Sequence, residues 1–253
     1  MKSPPKRQIM FEDLKPHLIE LRKRLIISCV ALIVAFGICF GFWQILLDFM
    51  IEPLKISLPA KSDIIFKEVT EPFFTAMKVS FFAGLMLAVP VIFWQFWLFV
   101  APGLYDNEKK YVIPFVLSAT AMFGAGAAFC YYFVLPVGLN FLINFGGQLF
   151  LALPSIGAYV GFFTKLIIAF GLSFELPVIT FFLAKIGLVS DASLRAYFRY
   201  AVVGIFIFAA IMTPPDILSQ IMLACPLVGL YALSIYIAKL VNPATNDSEM
   251  ENE

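Results

Sequence analysis

Six long apolar runs, separated by prolines and charges, constrain this chain more than any other feature. They lie at roughly 25–47, 72–100, 111–139, 159–184, 197–212 and 217–238. About 20 consecutive apolar residues match the hydrocarbon thickness of a bilayer. Inside lipid each backbone N–H and C=O must be satisfied within its own segment, so such a run folds as a helix. The expected fold is an all-α polytopic membrane protein with six transmembrane helices. Composition agrees: 61% of residues are hydrophobic and 14% charged, where a soluble domain carries about a quarter charged. Residues 25–240 read as one membrane domain, 1–24 as a basic N-terminal segment, and 241–253 as a disordered acidic tail.

The runs are uneven. Pro90 and Pro177 interrupt the second and fourth, Pro114 lies near the start of the third, and the fifth is short for a crossing. Only Thr213, Pro214, Pro215 and Asp216 separate the fifth from the sixth, which predicts a tight hairpin. Segment 48–71 suits short interfacial helices, and 140–158 reads as an outer loop. The first run is expected to stay as an anchor, since it is too long for the apolar core of a cleavable signal. Lys and Arg cluster before the first run, at Lys109 and Lys110, and around the fourth-to-fifth connection. The opposite loops hold only Lys55, Lys61 and Lys67. The positive-inside rule then places both termini in the cytoplasm. Lys78 and Lys165, a turn or two inside their helices, are expected to snorkel.

No enzyme or metal constellation appears. Cys29, Cys39, Cys130 and Cys225 lie inside apolar runs without metal-ligand spacing, and His17 is alone. No cofactor is implied. Paired membrane aspartates, a zinc-protease motif and a Ser/His dyad are all missing, so a protease reading has nothing to stand on.

Four polar constellations remain. In His17-Leu-Ile-Glu-Leu-Arg-Lys-Arg24, helical spacing sets Glu20 and Arg24 at i,i+4, which by itself predicts an ordinary ion pair. In Phe99-Val-Ala-Pro-Gly-Leu-Tyr-Asp-Asn-Glu-Lys-Lys110, Pro102 and Gly103 turn the chain and Glu108 precedes the third helix. Asp106 and Glu108 suit the positive end of that helix. Glu20 and Glu108, both expected on the cytoplasmic face, can also receive a pair of guanidinium groups through charge-assisted, bidentate bonds that prefer Arg to Lys. In Phe170-Gly-Leu-Ser-Phe-Glu-Leu-Pro-Val178, Glu175 is a carboxylate at bilayer depth, where it is costly and points to function. Pro177 frees the Ser173 carbonyl and predicts a kink. In Met212-Thr-Pro-Pro-Asp-Ile-Leu-Ser-Gln220, Asp216 suits a helix cap, while Thr213 and Gln220 suit docking of another helix.

Taken in order and at their spacing, these segments resemble the twin-arginine translocase TatC family. The resemblance implies six spans with both termini cytoplasmic, in a concave glove-like bundle whose fifth and sixth helices are short. It implies a receptor for the twin-arginine signal peptides of folded precursors in a bacterial inner membrane, working with TatA-like and TatB-like single-span proteins and the proton-motive force. A homo-oligomeric complex in contact with membrane lipid follows from the same likeness, and nucleic acid has no part in it. By that likeness Glu20 and Glu108 meet the two arginines, and Arg22 and Phe99 flank them. Pro53 occupies a family position in the first outer loop, and Glu175 polarises a membrane face. Thr213 and Gln220, with Asp216 nearby, dock a partner helix. Lys109 stands where many relatives carry Arg, keeping the charge. A proton-coupled small-solute transporter using Glu175 is the alternative reading. Internal repeats would favour it, and none is evident between the halves.

Overall fold

A computed structural model of the chain describes residues 6–59, 62–100, 112–146, 151–213 and 217–242. Within them the chain is helical almost throughout. The helices are α1 (Lys6–Gly41), α2 (Trp43–Ser57), α3 (Glu71–Val100), α4 (Val112–Phe129), α5 (Leu135–Gly146), α6 (Ile156–Ser173), α7 (Glu175–Lys185), α8 (Asp191–Ala196), α9 (Phe198–Met212) and α10 (Ile217–Val241). Five stretches are long and apolar enough to cross a membrane: His17–Gly41, Glu71–Val100, Ile113–Phe145, Ile156–Lys185 and Gln220–Val241. The sixth is α9, an apolar helix of 15 residues. At 1.5 Å per residue it reaches about 22 Å, short of the roughly 30 Å hydrocarbon core. The last crossing, 22 residues, is the shortest of the five long ones.

The prolines act in two ways. Pro53, Pro90 and Pro226 sit inside α2, α3 and α10 without ending them. Elsewhere the missing N–H reshapes the helix. Ahead of Pro136 the chain opens into a π turn at Cys130–Val134, where Leu135 donates to the Cys130 carbonyl five residues back. That turn absorbs the proline, so helix continues to Gly146 and the third crossing runs well past the expected end at 139. In the fourth crossing the break falls at Phe174, between α6 and α7, three residues before Pro177. The first crossing also ends early, at Gly41, and α2 begins after a single turn residue. The tail from 243 lies outside the described residues.

The chain divides into two compact units. The first comprises Met1–Leu46 and Val79–Thr120. Here α1 and α3 cross so closely at Gly84 that a Cβ on it would lie 2.7 Å from the Phe36 nitrogen. Small residues of this kind let membrane helices approach backbone to backbone. Trp97, buried, packs on Phe115 with ring centroids 3.9 Å apart. Leu25, Ile26, Val30, Ile33 and Val34 of α1 are each at least half exposed, an arrangement suited to lipid.

The second unit comprises Leu47–Lys78 and Ala121–Glu253. There α10 packs chiefly on α7, then on α9. The α4–α6 crossing is close on both sides. A Cβ on Gly126 would lie 2.6 Å from the Phe170 carbonyl oxygen, and one on Gly171 would lie 2.7 Å from the Phe123 ring. Two tyrosines hold α2 in place. Tyr131 and Tyr159 donate to the carbonyls of Phe49 and Met50, at 2.9 and 2.8 Å. Gly187, at φ 77°, ends α7 in a left-handed turn. Its N–H reaches the Ala184 carbonyl, and the Leu188 N–H reaches that of Leu183, which together satisfy the last turn.

Candidate functional site

Five predicted or neighbouring residues converge within the first unit, where the start of the first crossing in α1 faces the end of α3. The His17 and Phe99 rings meet with centroids 4.3 Å apart. Three residues along α1, Glu20 Oε1 accepts from Arg24 Nη2 at 3.1 Å. Arg24 Nη1 then donates across to Gln95 Oε1 of α3 at 3.2 Å. Gln95 is only 9% exposed. Glu20 and Arg24 are part-exposed, at 30% and 23% of their side chains. An i,i+4 pair in such a place contributes roughly 0.3–0.5 kcal/mol. Its interest lies in geometry. The guanidinium spends one N–H edge on Gln95, so it grips Glu20 through a single oxygen, and among the described residues its buried Nε has no partner. Among the described residues Glu20 Oε2 is left open for another donor. Arg22 is exposed beside this cluster, and Phe99 is half-buried. Glu108 lies outside the described residues.

Glu175 begins α7, directly after the break at Phe174. It is 6% exposed, and its Oε1 is buried with no hydrogen-bond partner among the described residues. A carboxylate so placed in a membrane-spanning helix is held at a desolvation cost, the usual mark of a functional position.

At the fifth-to-sixth connection, Thr213 caps the end of α9, its hydroxyl donating to the Ala209 carbonyl at 2.9 Å. Gln220 reaches from the first turn of α10 back to the Phe206 carbonyl at 3.0 Å, fastening the two helices together. Asp216 lies outside the described residues. Pro53 is buried within α2, where its ring leaves the helix unbroken. Lys78 and Lys165 are exposed.

Two residues with defined roles carried no readable signal in sequence. Gln95 is a single amide in an apolar run, and only the fold reveals that it faces Arg24. Glu71 is the first residue of α3. Its Oε2 accepts from the Lys67 N–H at 2.6 Å, while Oε1 accepts from the Gly157 N–H at 2.7 Å and from the Ser155 hydroxyl. One carboxylate therefore ties the turn leading into α3 to the start of α6, whose Gly157 N–H it caps. A backbone bridge between Ile65 and Ser155 runs alongside. Among the described residues no cluster of His, Cys, Asp or Glu is placed to hold a metal.

Residues 16–226 match the family described as Sec-independent protein translocase protein (TatC). A Campylobacter jejuni protein of that description is 56% identical over 244 residues, covering 96% of this chain and all of its own length. One from Helicobacter pylori strain J99 is 54% identical over 244 residues, 96% of each chain. One from Aquifex aeolicus is 40% identical over 229 residues, 90% of this chain and 95% of its own. A crystal structure of a twin-arginine translocase receptor TatC superposes with a TM-score of 0.82 at 38% identity, covering 89% of this chain and 99% of that one. In sequence and in fold, then, this chain belongs to the TatC family of Sec-independent protein translocases, multi-pass membrane proteins of bacterial transport.

Proposed function

We propose that this protein is the receptor subunit of a twin-arginine export system, binding the arginine pair of signal peptides on folded precursors at its cytoplasmic face. The observation that carries this reading is the open Oε2 of Glu20, held at the start of the first crossing beside the His17–Phe99 contact. A planar guanidinium supplies parallel N–H donors for such an oxygen, whereas a lysine supplies a point charge. Glu108, close in sequence to the end of α3, is the second acceptor, and Arg22 and Phe99 line the approach. Glu175 polarises a membrane-depth surface, Thr213, Gln220 and Asp216 dock TatA-like or TatB-like single-span partners, and Pro53 shapes the outer turn. Transport draws on the proton-motive force in a complex holding several copies of the chain. The clustering of Lys and Arg supports an orientation with both termini in the cytoplasm. Family membership sets aside the small-solute transporter that Glu175 alone left open.

The test is photocrosslinking of a twin-arginine precursor in membranes containing the protein. Glu20→Ala and Glu108→Ala should each weaken crosslinking about tenfold, equivalent to roughly 1.4 kcal/mol. Unchanged crosslinking in both variants would sink the assignment.

A further inference from the structure

Pro53 has no N–H to donate, so within α2 the carbonyl four residues back, that of Phe49, receives no donor from its own helix. The pyrrolidine ring also crowds that carbonyl and turns it off the helix axis. The Tyr131 hydroxyl donates to this same oxygen at 2.9 Å. The Tyr131 and Phe49 rings stack with centroids 4.6 Å apart and planes 3° from parallel, so the contact is fixed in angle as well as in distance. Phe49 is exposed, and against lipid an emptied carbonyl finds no water to take the place of the tyrosine. The neighbouring carbonyl, of Met50, supplies a contrast. It accepts from Tyr159 at 2.8 Å, yet Leu54, four residues on, keeps its N–H. Of the two tyrosine contacts, the first alone meets an oxygen that a proline has emptied. Tyr131 itself stands in the π turn Cys130–Val134, ahead of Pro136. Such turns are frequent at functional sites. All of these residues belong to the second unit.

We propose that Pro53 and Tyr131 form one positioning couple, in which the N–H that Pro53 lacks reserves the Phe49 carbonyl for Tyr131 and so sets α2 against the third crossing for export. This rests on the reading of the protein as an export component with Pro53 as a functional position of its outer segment. In that role Pro53 works through the acceptor it leaves open, and its ring need not touch a ligand. Tyr131 is the residue that uses the acceptor, and it acts through α2 rather than on the signal peptide. Any residue with an N–H at position 53 would take the Phe49 carbonyl into the helix and leave the tyrosine a poorer, already occupied acceptor.

The experiment follows hydrogen exchange of the α2 amides in the purified full-length protein in nanodiscs, with Tyr131→Phe made in the native background and in Pro53→Ala. Beside Pro53, loss of the hydroxyl should speed exchange through α2 about fivefold, the factor that one hydrogen bond of ordinary strength carries. In Pro53→Ala the restored N–H takes the Phe49 carbonyl, so loss of the hydroxyl should change exchange less than about twofold. Tyr159→Phe is the control. Its effect should be the same factor in both backgrounds, because Leu54 keeps its N–H in either. Export of a twin-arginine precursor should fall in Pro53→Ala and in Tyr131→Phe, and fall no further in the double variant, while crosslinking of the precursor to the protein holds within about twofold. Equal effects of Tyr131→Phe in the two backgrounds, or a Tyr159→Phe effect that depends on Pro53 as strongly, overturn the couple. Normal export in Tyr131→Phe overturns its role in transport. The receptor reading fails separately, on unchanged crosslinking in Glu20→Ala and Glu108→Ala, and that failure leaves the exchange result standing.

Discussion

Glu71 and Glu175 are both carboxylates at the first position of a helix, yet their surroundings differ sharply. Glu71 accepts from the Lys67 and Gly157 N–H groups and from the Ser155 hydroxyl, so its two oxygens join the turn before α3 to the start of α6. Glu175 is 6% exposed and keeps Oε1 without a partner among the described residues. The first is a structural cap, while the second carries an unmet hydrogen-bonding capacity that structure alone does not require. Glu175 stands out in sequence by its depth in an apolar run, whereas the role of Glu71 does not, because its donors include residues more than 80 positions away. Glu71→Gln exchanges one acceptor oxygen for an NH₂ group that faces N–H donors. It should lower the unfolding temperature in detergent by about 2–4 °C without altering peptide binding. An unshifted melting curve would remove this bridging role.

At the scale of elements, Gly124 and Gly126 lie two residues apart on α4 and differ completely in what surrounds them. Nothing approaches within 4 Å of a Cβ on Gly124, whereas one on Gly126 would sit against the Phe170 carbonyl of α6. Gly126→Ala should therefore destabilise the protein by about 1–3 kcal/mol, since a backbone carbonyl has little room to yield. Gly124→Ala should be neutral or slightly stabilising, because the helix gains a better former. Equal effects in a thermal-melt comparison would contradict the close crossing. Hydropathy alone supplied the helices, since a run of apolar residues in lipid has one solution for its backbone. It did not supply their ends. Whether a proline is carried within a helix, as Pro90 is in α3, or opens a π turn, as at Cys130–Val134, depends on neighbours that fill or relieve the gap. The same holds for the candidate site. Glu20 and Arg24 were legible from i,i+4 spacing, but Gln95 became meaningful only when α3 was laid against α1.

For the whole molecule, six crossings tie both termini to one side of the membrane. With the native cysteines replaced, Lys67→Cys should react with an impermeant maleimide added to intact spheroplasts. Lys110→Cys should react only after lysis. The reverse pattern would invert the orientation and move the Glu20 site to the wrong compartment. The bridge at Glu71 bears on how the molecule is made. Gly157 follows Glu71 by 86 residues. At a synthesis rate of about 5–20 residues per second, the ribosome delivers it roughly 4–17 s later. During that interval one oxygen of Glu71 holds the turn before its own helix while the other waits. The first turns of α3 and α6 are joined only once the latter has left the ribosome, so this fastening closes late in biogenesis.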